Sequence, residues 1–118
     1  MTAHPFKPRA YLKEGCPFSF KLWLFLVEAG LAGEIDVIRC NPESDAFARV
    51  KARLAEALGT SPIFPTVEIA PGRYESDSDG LIQHFAQAHG VDVASLPALA
   101  FYRETLLPQL IELHEAHH

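Results

Sequence analysis

Cysteine is scarce in this 118-residue chain, with Cys16 and Cys40 its two examples. Two thiols in unlike surroundings make no disulfide framework, so an apolar core must hold the fold, and a reducing cytoplasm is the expected compartment. Long apolar runs are missing as well. The stretch Leu22-Trp23-Leu24-Phe25-Leu26-Val27 falls far short of the roughly 20 residues a membrane span needs, and reads as a buried helix. Met1 to Arg9 holds two basic residues with no apolar run behind them, so no secretory signal is expected. Basic residues are outnumbered, 10 Lys and Arg against 15 Asp and Glu, and no cationic stripe invites nucleic acid. No repeat, linker or low-complexity tract interrupts the chain. With 48% apolar residues, it has enough to build the core of one globular domain.

What is present is a regular alternation of strand and helix signals. Arg9-Ala10-Tyr11-Leu12-Lys13 reads as a strand, Glu14-Gly15 as a break, and Phe18 to Ala29 as a strongly apolar helix. After a turn between Gly30 and Gly33, Ile35-Asp36-Val37-Ile38 alternates like a second strand. Ser44 or Asp45 can cap a helix over Ala46–Leu58, in which Phe47, Val50, Leu54 and Leu58 recur at helical spacing before Gly59 stops it. Thr66-Val67-Glu68-Ile69 reads as a third strand. Pro71-Gly72 turns the chain, and Arg73-Tyr74-Glu75 returns antiparallel. Ser76 to Asp79 is dense in capping residues, ahead of a third helix whose apolar face is Leu81, Ile82, Phe85 and Ala88 and whose end is Gly90. A last helix is expected from Leu99 to Leu113, bent at Pro108. Its stripe of Leu99, Tyr102, Leu106, Leu110 and Leu113 is expected to pack on its own domain, with pairing to a second subunit (a homodimer) as the other fate. The order βαβα-ββα implies a mixed sheet with helices on both faces.

Cys16-Pro17-Phe18-Ser19 carries the chemistry. Unpaired backbone N–H groups and the positive end of the macrodipole gather at a helix start, and a cysteine there is favoured in its nucleophilic, anionic form. Pro17 fits the first helical position because its missing N–H is not needed there. Ser19 stands where a dithiol motif would place a second cysteine, so the chemistry implied uses one thiol, with a partner thiol from solution.

This order, with Cys-Pro-Phe-Ser opening the first helix, resembles the thioredoxin-like fold of glutaredoxins and of the N-terminal domain of glutathione transferases, over about Arg9 to Gly90. The tetrapeptide is similar to those of omega-class transferases, dehydroascorbate reductases and chloride intracellular channel proteins. The resemblance implies an α/β, thioredoxin-like mixed four-stranded sheet with one extra C-terminal helix. Residues 1–95 would form the glutathione-binding domain and residues 96–118 its helical extension. It implies that Phe64-Pro65 is the family's cis-proline step, Pro62 being the nearby competitor, and that the Phe64 backbone pairs with the cysteinyl unit of glutathione. It also implies that Asp77 and Ser78 hold the γ-glutamyl ammonium and carboxylate, with Glu75-Ser76 as a rival register. Lys13 would meet the glycyl carboxylate, and Phe18 would line the same site.

By that resemblance the function is a glutathione-dependent thiol transferase. Cys16 takes glutathione from a glutathionylated protein or small disulfide, and a second glutathione, the co-substrate, regenerates it. Ser19 would donate a hydrogen bond to the Cys16 thiolate. The alternatives are a non-catalytic glutathione-binding or protein-interaction module, and dehydroascorbate reduction or transferase activity. Glutathione transferases follow this domain with a large helical one, whereas a single helix follows here, so conjugation of electrophiles is not expected. Cys40 reads as structural. The terminal His114, His117 and His118 read as a solvated tail, and no metal is assigned.

Overall fold

A computed structural model describes residues 6–116. β1 (Arg9–Lys13), α1 (Pro17–Glu28), β2 (Asp36–Cys40), α2 (Asp45–Leu58), β3 (Thr66–Ala70), β4 (Arg73–Glu75) and α3 (Ser78–His89) follow one another in the expected βαβα-ββα order. The strands make one four-stranded sheet ordered β2-β1-β3-β4. β1 runs parallel to β2, as a helical crossover permits, while β1 with β3 and β3 with β4 are antiparallel. The sheet is mixed, and the chain is α/β.

Strand alternation divides the core between the two faces. Ala10 and Leu12 of β1 join Leu22, Phe25 and Leu26 of α1 and Leu81, Ile82 and Phe85 of α3. Tyr11, between them in sequence, points the other way and packs with Phe47, Val50 and Leu54 of α2. The amphipathic α2 is closed at both ends by the residues its sequence offers. The Ser44 hydroxyl accepts the Phe47 N–H at 3.1 Å, and Gly59 takes a left-handed conformation (φ 75°) that ends the helix. β2 begins and ends later than its alternating pattern predicts, because Arg39 and Cys40 still pair with Leu12 and Lys13 across the parallel ladder.

The C-terminal region departs most from expectation. A helix starts at Pro97 rather than Leu99, and α4 (Pro97–Phe101) runs through a π-helical turn (Tyr102–Leu106) into α5 (Leu107–Ala116). Pro108 is the second residue of α5, and the irregularity precedes it. Proline has no N–H for the carbonyl one turn earlier, and that turn widens instead. The wider turn shifts the helical phase, so the expected stripe splits. Leu99 and Tyr102 are buried together with Leu107, whereas Leu106, Leu110 and Leu113 are exposed. No described helix is long and apolar enough to cross a membrane. The tail histidines His114, His117 and His118 fall outside the residues and side chains described.

Candidate active site

Cys16 caps α1 with extended backbone (φ −93°, ψ 121°), and its carbonyl accepts the Phe20 N–H at 3.0 Å. No side chain caps this helix start, so the N–H groups of the first turn remain available to an anion. The half-buried Cys16 Sγ donates a 3.6 Å hydrogen bond to the Phe64 carbonyl. The Phe64–Pro65 peptide is cis, and Pro65 is buried beneath it. The fully buried Thr66 hydroxyl binds the Ile63 carbonyl and meets Ser76 Oγ at 3.0 Å, which ties this loop to the chain entering α3.

Cys16, Lys13, Phe18, Phe64, Asp77 and Ser78 line one cleft of about 710 Å³. Asp77 occupies the N-cap position of α3, makes no side-chain capping bond and is among the residues that line the cleft. Gly80 leaves it room, since a Cβ there would stand 3.0 Å from Asp77 Oδ2. Of the rival pair, Ser76 lines the cleft and is held by Thr66, whereas Glu75 is not among the lining residues. Across the cleft, the Lys13 ammonium lies 6.0 Å from the Phe47 ring centroid, and the Phe47 and Phe64 rings are 5.4 Å apart. A cation, an aromatic wall and a thiol thus share one cleft with an uncapped carboxylate.

Ser19 is engaged by the backbone at the end of β1. Its buried hydroxyl accepts the Lys13 backbone N–H at 3.1 Å, and no hydrogen bond joins it to Cys16 among the described residues. The helix turns Ser19 back toward the end of β1, where it lines a second cavity of about 400 Å³ beside Phe20, Trp23 and Arg39. Cys16 borders both spaces. Cys40 is buried at the end of β2, and its thiol donates to the Ile38 carbonyl at 3.8 Å. Burial, and secondarily the Glu14 carboxylate, push that thiol above its ordinary range, which disfavours its thiolate.

Further residues of this region were given no part in the site from sequence. Lys51, on α2, adds a second cation to the Lys13 side of the cleft. Lys21 is buried within α1, with Nζ 5.5 Å from the Phe18 ring centroid and 2.9 Å from Asp79 Oδ1. The same Asp79 oxygen accepts from Arg103 at 2.7 Å, and these two hydrogen bonds, Lys21 foremost, hold the Asp79 carboxyl below its usual range despite partial burial. The signal was present in Lys21 itself: a lone cation inside a largely apolar helix has to find a partner when buried. Tyr102, read from sequence only as part of the last helix's apolar stripe, is buried beside Cys16. Its hydroxyl donates to the Pro17 carbonyl at 2.6 Å.

A solved structure of a possible glutathione S-transferase from Rhodopseudomonas palustris overlays 87% of this chain at 19% identity, with a TM-score of 0.51. The chain has a thioredoxin-like fold. Two further solved structures are similar to it at a TM-score of 0.47: glutathione transferase Omega 3C from Trametes versicolor (21% identity) and a glutathione S-transferase from the Antarctic clam Laternula elliptica (18%), each over 72% of this chain. The thioredoxin-like chain spans 34%, 36% and 54% of the Trametes, Laternula and Rhodopseudomonas proteins. No protein-family model and no curated protein sequence matches it.

Proposed function

We propose that this protein is a glutathione-dependent thiol transferase with Cys16 as its single nucleophile. The observation that carries the reading is the shared cleft: the Cys16 thiol meets the backbone of Phe64 in the same space that Lys13 and the Asp77–Ser78 helix start open onto. Glutathione carries one ammonium and two carboxylates around its thiol. The cleft offers a carboxylate at Asp77, helix N–H groups and a hydroxyl at Ser78, and cations at Lys13 and Lys51. Phe64 backbone groups beside Cys16 would align the cysteinyl unit, with Phe18 and Phe47 closing the sides.

The Cys16 thiolate attacks the glutathionyl sulfur of a mixed disulfide. A Cys16–glutathione bond forms, the old S–S bond breaks, and the released thiolate takes a proton from water. A second glutathione thiolate then attacks the glutathionyl sulfur, producing oxidised glutathione and regenerating the Cys16 thiolate. Ser19 cannot close a disulfide, so the adduct waits for the second glutathione.

Incubation of the reduced protein with oxidised glutathione, read by intact and peptide mass spectrometry, tests this. A single glutathione on Cys16, removed by fresh glutathione and absent from Cys16→Ser, is the expected result. A Cys16 that stays unmodified at neutral pH would rule out the exchange cycle and leave a binding module without turnover.

A further inference from the structure

The extension after α3 is fastened to α1 at both ends. At the far end of α1, the Glu28 carboxylate accepts the N–H groups of Ala98 and Leu99 at 2.7 and 2.8 Å, closing the start of α4. At the near end, the Tyr102 hydroxyl bonds the Pro17 carbonyl in the turn that Cys16 opens. The Tyr102 ring packs edge-on against Phe20 with centroids 5.0 Å apart, and the side chain is 4% exposed. The next residue, Arg103, reaches the other helix start at Asp79. The π turn therefore places two consecutive side chains on the first turns of both helices that border the cleft.

We propose that Tyr102 is a positioning residue for Cys16, so that the C-terminal extension is part of the site rather than a cover for the core. Two observations favour this over ordinary packing. The phenol spends its donor on the carbonyl of the residue next to the nucleophile, although a buried tyrosine needs only some acceptor. The same side chain also walls a cavity of about 410 Å³ that Cys16, Phe20 and Leu106 border. Burial, and then the Cys16 sulfur, push the Tyr102 phenol above its ordinary range. Without the bond, the first turn of α1 loses one of its fixed points, and Cys16 Sγ is held less firmly toward the Phe64 carbonyl.

The proposal rests on the thiol-transfer reading for its kinetic half only. Tyr102→Phe keeps the ring and removes the donor; Glu28→Ala loosens the far end of the same extension without approaching the site. Both are compared with wild type in thermal unfolding, in the rate of Cys16 alkylation by iodoacetamide at fixed neutral pH, and in kcat and KM for thiol transfer. The expected pattern is that Tyr102→Phe slows Cys16 alkylation and kcat about threefold to tenfold, the size of one net hydrogen bond, with KM for glutathione unchanged. Glu28→Ala lowers thermal stability and leaves the alkylation rate at the wild-type value. Equal alkylation rates in Tyr102→Phe and wild type, or the same slowing in Glu28→Ala, would overturn the proposal. A wild-type Cys16 that alkylates but never accepts glutathione would instead end the thiol-transfer reading, and the alkylation rates alone would then decide the role of Tyr102.

Discussion

Lys21 shows how one buried charge organises the residues around a site. Its ammonium sits inside an apolar helix, over the Phe18 ring, and reaches an acceptor on another helix at Asp79. Asp79 is itself largely exposed, so the pair joins a costly buried cation to an easily solvated anion. Asp79→Ala leaves that cation without its carboxylate and is expected to cost about 1–3 kcal/mol, measured by urea unfolding. The Asp79 carboxyl is held below its ordinary 3.8 in the folded protein. A depressed folded value makes its contribution full above the unfolded pKa and lost as pH falls through the folded one. Wild type should therefore exceed Asp79→Asn in stability at neutral pH, and the gap should close progressively on acidification below 3.8. A gap independent of pH would show that the Asp79 charge contributes nothing. At this scale the place of Cys16 at a helix start was legible, because the proline after it suits the first helical position. Ser19 was not, since sequence gives its place on the helix but not that the end of β1 would claim its hydroxyl.

Among the elements, helix starts and stops followed local chemistry. Ser44 caps α2, Gly59 and Gly90 take the left-handed conformation at the ends of α2 and α3, and Pro17 opens α1. The last helix did not, because its apolar spacing assumes an unbroken 3.6-residue period. A π turn spends extra residues and rotates everything after it, so Leu107 becomes buried and Leu106 exposed. The start of α4 is likewise closed from a distance, by Glu28 some 70 residues earlier. Glu28→Ala removes both acceptor bonds and should lower stability by about 1–2 kcal/mol, read as a shift in urea midpoint with unchanged slope. An unshifted midpoint would mean that water replaces the carboxylate at no cost.

At the scale of the whole molecule, the extension contributes to the main core. Leu96 and Leu99 belong to the cluster built on α1 and α3, and Tyr102 and Leu107 are buried beyond it. Each fully buried large apolar side chain contributes about 1.5–3 kcal/mol, against a total stability on the order of 5–15 kcal/mol for an ordinary domain. A variant lacking residues 97–118 is thus expected to unfold at much lower urea and to bind a hydrophobic dye before the main transition. An unchanged midpoint in that variant would show that the first seven elements stand alone.

Sequence by itself determined the element order, the mixed sheet and the two apolar faces, because strand alternation and helical spacing are local patterns that burial enforces. It also marked Cys16 by its place at a helix start, while Phe64, Pro65, Asp77 and Ser78 became candidates through the family resemblance. Tertiary structure alone decided which of these share a cleft, where Ser19 and Lys21 find partners, and that Tyr102 reaches the first turn of α1. Those outcomes depend on distances between residues far apart in the chain and on the phase of a helix after its π turn. Neither is written in any short stretch of residues.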